Sequence, residues 1–173
     1  QAEFLKMKLK KQNVEEDIDD LLKTTEDLNI SMREKLWSLN SGNDTLGNLI
    51  KYINMYGETF FRKSNIEFSY QLELQDAEQK INSENRRNIF LCIKEAFNNC
   101  YKHSEATHVN AEYIQQNKTL KISIEDNGKG MPLQFKQGNG LKNMRFRMLN
   151  ANGTMDIQSD SNGTYLKFEI PLD

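Results

Sequence analysis

The chain has 173 residues, enough for one domain with a real core plus an appendage. Charged residues make up 28% and the formal net charge is −2, so no basic excess argues for nucleic acid as a partner. No run approaches the ~20 apolar residues of a membrane span, and no signal peptide opens the chain.

In chain order, residues 2–12 are expected to be helical, with Ala2, Leu5 and Leu9 on one stripe, and a break follows near Asn13. From there Val14, Ile18, Leu21, Leu28, Met32 and Leu39 follow an alternating four-three spacing, with Thr25 and Lys35 at the remaining stripe positions. A spacing averaging 3.5 is the signature of a bundle or coiled coil. An amphipathic helix packed on its own domain is the alternative. Ser41-Gly42-Asn43-Asp44 breaks this helix, and Asp44 or Thr45 caps the next, which carries Leu46, Leu49, Ile50, Ile53, Met55, Phe60 and Phe61. Residues 66–72 alternate as a strand. A polar connection leads to Ser83 and a long helix with Ile89, Phe90, Ile93, Ala96, Phe97 and Cys100 at helical spacing. Cys92 and Cys100 both fall in this stretch. That suits neither a disulfide framework nor a zinc site, so both are expected as buried free thiols.

Residues 109–114 and 120–125 form a hairpin across Gln116-Asn117-Lys118. The second strand delivers Asp126-Asn127-Gly128-Lys129-Gly130-Met131 into a loop. Pro132 and a short polar segment lead to Gly138-Asn139-Gly140, then to a helix over 141–149 with Asn152-Gly153 as its stop. Residues 154–158 and 165–170 alternate around Ser161-Asn162-Gly163 as a closing hairpin. The order predicts an α+β fold: a two-layer α/β sandwich whose mixed, mostly antiparallel sheet is covered by helices. A helical segment over 1–40 precedes a domain over 44–173.

Three features carry chemistry. Glu95 and Asn99 stand at i and i+4 on one helical face. A carboxamide oxygen is a hard ligand suited to Mg²⁺, and a carboxylate one turn away can orient or deprotonate a water. Lys102 and His103 follow about one turn on, where they can meet phosphate charge. The Asp126–Met131 loop combines a carboxylate with glycines that let a flat ligand approach the backbone. Gly138-Asn139-Gly140 opens a helix, whose N-terminal N–H groups can hold phosphate oxygens. Each has an ordinary reading as well: solvated helix residues, a helix-terminal cation, plain turn chemistry.

Together, in this order, the three resemble the N box and two glycine boxes of the Bergerat ATP-binding fold shared by gyrase, heat-shock chaperones of the ninety-kilodalton class, sensor histidine kinases and MutL. Lys94-Glu95-Ala96-Phe97-Asn98-Asn99-Cys100-Tyr101-Lys102-His103-Ser104 resembles the N box of histidine kinases that partner LuxR-type response regulators. Gly138 to Arg147, with the Trp37-Ser38-Leu39-Asn40 junction and the closing Gly163-Thr164-Tyr165, resemble the same subfamily. The resemblance implies ATP and Mg²⁺ as cofactors. It implies Glu95 as the catalytic group and Asn99 as the metal ligand. It implies nucleotide-binding positions at Asn98, Asn99, Lys102, His103, Asp126, Gly128, Gly130, Met131, Gly138, Asn139, Gly140, Leu141 and Thr164. In it, Asp126 accepts from the adenine amino group with Thr164 supporting it, Gly128 and Gly130 let the backbone pass adenine and ribose, and Gly138 and Gly140 hinge a short lid.

The same resemblance implies a homodimer through the N-terminal helices, a cognate LuxR-type response regulator, and a cytoplasmic domain of a parent anchored in the bacterial inner membrane through upstream segments. The only histidines, His103 and His108, lack the context of a phosphoacceptor. The chain is therefore expected to be a fragment beginning after that histidine, binding Mg-ATP without forming phosphohistidine. An acid-labile label on His103 or His108 would contradict this. An anti-sigma-factor-type serine kinase of the same fold, or a scaffold that no longer binds nucleotide, are the competing readings.

Overall fold

A computed structural model describes residues 18, 21, 22, 24, 25, 28, 32, 36, 37, 44–62, 64–131 and 138–172. The helix expected over 2–12, the break at Asn13, stripe positions Val14, Lys35 and Leu39, and residues 132–137 lie outside the described residues. The chain separates into two compact units, Gln1–Asn40 and Ser41–Asp173. In the first, the described positions are helical, and Ile18, Leu21, Leu22, Leu28, Met32 and Leu36 expose their apolar side chains. Among the described residues no helix is long and apolar enough to cross a membrane.

The second unit contains helices α1 (Leu46–Phe61), α2 (Ser83–Asn99) and α3 (Asn139–Asn150), and strands β1 (Glu67–Glu73), β2 (His108–Gln116), β3 (Thr119–Asp126), β4 (Thr154–Asp160) and β5 (Gly163–Pro171). The sheet runs β1-β2-β3-β5-β4, with β1 and β2 parallel and every other pair antiparallel. A parallel pair needs a crossover connection, and α2 supplies it. This is the mixed, mostly antiparallel sheet expected from the alternation. Asn117 and Lys118 turn between β2 and β3 with φ of 51° and 57°, the twist a two-residue hairpin requires.

Helix ends follow the local chemistry. The Thr45 side chain accepts from Asn48 N at 3.3 Å, and Asn82 Oδ1 accepts from Asn85 N at 2.8 Å. At the end of α3, Asn152 takes the left-handed conformation and Gly153 N donates to Met148 O at 2.8 Å. The α2 helix does not stop at Asn99 but widens into a π-helical turn, Cys100–Ser104, closed by Glu105 at φ 57°.

One sheet face, with Val109, Ala111, Tyr113, Leu120, Ile122, Leu166 and Phe168, is buried with the apolar faces of α1 and α2. Phe97 of α2 packs its ring 5.3 Å from those of Phe61 and Phe68, joining both helices to β1. Gly57 lets α1 lie on β1, since a Cβ there would stand 2.7 Å from the Phe68 ring.

Asp44, the other expected cap, does different work: its carboxylate pairs with the fully buried Arg86 guanidinium of α2. Its carbonyl accepts from Ile81 N at 3.1 Å, so the entry to α1 is tied to α2 and to the segment before it. Removing Asp44 takes a carboxylate partner from a fully buried charge, a destabilising change. Asp44→Ala is expected to lower stability by on the order of 3 kcal/mol, against about 1 kcal/mol for Thr45→Ala, in urea unfolding followed by circular dichroism.

Cys92, in α2, is fully buried and directs its thiol at Met144 O of α3, 3.5 Å away. Burial pushes its pKa up from 9.0 to about 12. Unfolded chains therefore release a proton above pH 9 that folded chains keep. Stability from this group is complete below pH 9 and falls as pH rises toward 12, by at most about 1.4 kcal/mol per pH unit. Cys92→Ala is expected to flatten that part of the pH–stability curve.

Candidate functional site

A cleft of about 530 Å³ opens between α2 with its π-helical turn, the loop after β3, and the start of α3. Glu95, Ala96, Asn99, Cys100, Lys102, His103 and Ser104 form one wall, Lys129, Gly130 and Met131 the rim, and Gly138, Gly140 and Leu141 the far end. Asp126, Thr164 and Leu166 contribute from β3 and β5. Helical spacing explains why Glu95 and Asn99 share the wall. Lys102, His103 and Ser104 join them from the π-helical turn, a feature that recurs at functional sites.

The loop after β3 is anchored at both ends. Lys129 N donates to Ser104 O at 2.8 Å, and a Cβ on Gly128 would stand 2.2 Å from that oxygen. Gly130 has φ +67°, and a Cβ on it would stand 1.8 Å from Asp160 O. Asn127 fixes the base of the loop: its Oδ1 accepts from Thr107 N at 3.0 Å and His108 N at 2.9 Å. Met131 N donates to Ser159 Oγ at 2.8 Å.

Asp126 is 5% exposed. Its Oδ1 accepts from Gly128 N at 2.9 Å, and the Cys100 thiol donates to Oδ2 across 3.6 Å. Thr164 is its register partner on β5, with Oγ1 3.1 Å from Ser159 Oγ. On the rim, Lys129 Nζ pairs with Glu105 Oε1 at 2.6 Å, a largely exposed contact worth little to stability.

The cleft thus brings together Glu95, Asn99, Lys102, His103, Asp126, Gly130, Met131, Gly138, Gly140, Leu141 and Thr164. Three expected residues lie elsewhere. Asn98 lines a separate groove with Asn143 and Arg147 and donates Nδ2 to Lys94 O at 3.0 Å, because one residue along a helix rotates the side chain off the cleft face. Gly128 lies behind the cleft against Ser104, so its missing side chain serves chain packing rather than ligand approach. Asn139, the first residue of α3, is exposed beside the cleft and does not line it. Gly140 faces Glu95, where a Cβ would stand 2.1 Å from Oε1, while Gly138 has open space around it. Cys100, Lys129 and Ser159 were not anticipated. Cys100 and Lys129 are embedded in motifs read for their neighbours, and Ser159 is an ordinary strand serine until β4 pairs with β5.

Among the described residues no three His, Cys, Asp or Glu side chains gather as a metal site. Asn99 and Glu95 offer hard oxygens from one helix face. That donor set fits a cation such as Mg²⁺, whose shell is mostly water and substrate phosphate.

Burial, and then the Asp126 carboxylate beside it, push the Cys100 thiol far above its ordinary range. Removing that negative charge lowers the thiol pKa. Asp126→Asn is expected to speed modification of Cys100 by a thiol reagent at pH 8 while leaving Cys92 slow, read by mass spectrometry of the labelled peptides.

A family model described as "Histidine kinase-, DNA gyrase B-, and HSP90-like ATPase" matches residues 84–173, just over half of the chain. The chain is similar to the sensor histidine kinase YvfT of Bacillus subtilis, 38% identical over 111 residues, which is 64% of this chain and 29% of that protein. It is also similar to the sensor protein VraS of Staphylococcus epidermidis, 38% identical over 103 residues, 58% of this chain and 29% of the relative. Each match therefore spans under a third of the relative. Among solved structures, the histidine kinase domain of the Erythrobacter litoralis blue-light activated kinase EL346 superposes with a TM-score of 0.62 at 19% identity, over 74% of this chain and 61% of that one. The Acinetobacter baumannii histidine kinase AdeS gives 0.64 at 15% identity, over 94% and 86%. These likenesses share the fold described above. By sequence and fold, the chain belongs to the histidine kinase-, DNA gyrase B- and HSP90-like ATPase family.

Proposed function

We propose that this chain is the ATP-binding catalytic domain of a two-component sensor histidine kinase, supplying the γ-phosphate of Mg-ATP to a histidine outside it. The observation that carries this reading is the meeting of Asp126, Asn99 and Glu95 in one cleft, from a strand end and a helix face far apart in sequence. The 38% identity to sensor histidine kinases supports it.

Asp126 is buried, and among the described residues its Oδ2 accepts from a weak donor, the Cys100 thiol, so it suits the exocyclic amine of adenine. Lys102 and Lys129 line the same cleft and give cationic company to the phosphates, and His103 lines it beside them with its ring nitrogens. The first turn of α3 turns its free N–H groups and positive dipole end toward phosphate oxygens. Asn99 offers its side-chain oxygen to Mg²⁺, which when bound offsets charge on the transferred phosphoryl group. Glu95 polarises the incoming imidazole by accepting its proton, and its position one turn from Asn99 keeps it beside the phosphates. Gly138 and Gly140 flank the lid on its C-terminal side. By the same reading, the segment 1–40 forms a homodimer through its helices, with Ile18, Leu21 and Leu28 covered by a second chain. The partner receiving the phosphoryl group is a LuxR-type response regulator. The domain works in the cytoplasm, beneath a parent anchored in the inner membrane.

Calorimetric titration with a non-hydrolysable ATP analogue tests this directly. The unmodified chain is expected to bind with Mg²⁺ assistance. Asp126→Asn is expected to weaken binding by about 100-fold while retaining its circular dichroism spectrum, because it sets a donor against a donor in a buried position. Glu95→Gln is expected to retain binding but to slow phosphoryl transfer to a supplied acceptor-histidine segment by about 100-fold. A folded, unmodified chain that binds no nucleotide would favour the scaffold reading.

A further inference from the structure

Ser159, at the end of β4, has three polar neighbours: Met131 N at 2.8 Å, Gly163 O at 3.1 Å and Thr164 Oγ1 at 3.1 Å. The Met131 amide only donates and the Gly163 carbonyl only accepts. A serine hydroxyl has one hydrogen and two lone pairs. All three contacts are satisfied together in one arrangement, in which Ser159 donates to Gly163 and accepts from both Met131 and Thr164. The hydrogen of Thr164 is then committed to Ser159, and lone pairs remain for the cleft that Thr164 lines. The approach of Met131 is itself fixed, because Gly130 lies against the Asp160 backbone where no Cβ fits.

Thr164 is the register partner of Asp126, so the two side chains belong to one part of the cleft. Asp126 accepts from Gly128 and Cys100. We propose that Ser159 is a specificity-positioning residue: by taking the Thr164 hydrogen, it makes the base-recognising end of the cleft acceptor-only, so that the site selects a 6-amino purine over a 6-oxo purine. The proposal rests on the nucleotide-binding reading above. A 6-amino group has two hydrogens to offer two acceptors. A 6-oxo group sets an oxygen lone pair against them, and that mismatch rejects the wrong base. With Ser159 absent, the Thr164 hydroxyl is free to rotate and donate to a 6-oxo oxygen.

ADP and IDP, titrated calorimetrically with Mg²⁺, read this without any dependence on turnover. The unmodified chain is expected to bind ADP more tightly than IDP. Ser159→Ala is expected to narrow the IDP-to-ADP ratio of Kd values by about five-fold, the worth of one neutral hydrogen bond, and Ser159→Thr to restore it. Thr164→Val removes the acceptor itself and is expected to narrow the ratio similarly, which keeps the test decisive if Ser159→Ala does not fold. In the Thr164→Val background, adding Ser159→Ala is expected to change the ratio no further. A ratio unchanged in Ser159→Ala or Thr164→Val, even with both affinities reduced, would overturn the proposal and leave Ser159 a purely structural anchor for Met131. Binding of neither diphosphate by the folded, unmodified chain would overturn the nucleotide reading, and this inference with it.

Discussion

The loop from Asp126 to Met131 is clamped between two backbones at distances that no side chain permits. Gly128 meets the carbonyl of Ser104, Gly130 meets that of Asp160, and Gly163 returns the contact on Asp126 itself, each within 2.2 Å of where a Cβ would be. These three approaches set where the Asp126 carboxylate lies relative to α2 and β5. The conformational freedom of Gly130 and Gly163 matters because both take positive φ, which a side chain would strain. Without this clamp, the cleft would have a wall but no fixed place for the buried Asp126 carboxylate.

The α2 helix connects that clamp to the core. Its inner face carries Ile89, Ile93 and Phe97 into the sheet, and its cleft face carries Glu95 and Asn99. Burial of the inner face, at roughly 2 kcal/mol for each large apolar side chain, holds the position of the outer one. The π-helical turn then carries Ser104 to the loop, where its carbonyl receives Lys129 N. One continuous helical segment thus positions the proposed catalytic base, the proposed metal ligand and the seat of the glycine loop. Because these share one rigid element, their relative geometry is set by helical repeat rather than by loop conformation.

Alternation and helical spacing were enough to place every strand and helix of the second unit to within a few residues, because each element has a sharp apolar face. The motifs located the cleft, because Glu95 and Asn99 encode their shared face in their own spacing. What they did not encode is contact across the sheet. Asn98, Gly128 and Asn139 sit inside motifs yet off the cleft, since neighbours in sequence point in different directions on a helix or around a turn. Ser159 and Cys100 act on the cleft through partners far along the chain: Met131 is brought to Ser159 by the β4–β5 edge, and Asp126 to Cys100 by packing of α2 on β3. Arg86 is a similar case. Its charge suggests a surface position, and its pairing with Asp44, far along the chain, helps to explain its complete burial.

The cleft divides recognition between two electrical environments. At the Asp126 end, the carboxylate is almost closed to solvent, and its hydrogen bonds run to Gly128 and Cys100, so polar contacts there are strengthened and a mismatched donor or acceptor is costly. At the rim, Lys129 is more than half exposed and paired with an exposed glutamate, so its attraction for phosphate is screened by salt and carries little shape information. On the proposed reading, base identity is read at the buried Asp126 carboxylate and at the more open Ser159–Thr164 pair beside it. On the same reading, phosphate charge is met where solvent enters, by groups that tolerate movement. Met131, where the described part of the loop after β3 ends, is fastened to Ser159 through its backbone N–H. The glycine loop is thereby held at both ends, by Ser104 at Lys129 and by Ser159 at Met131, so the position of Asp126 is tied to α2 and to β4 alike.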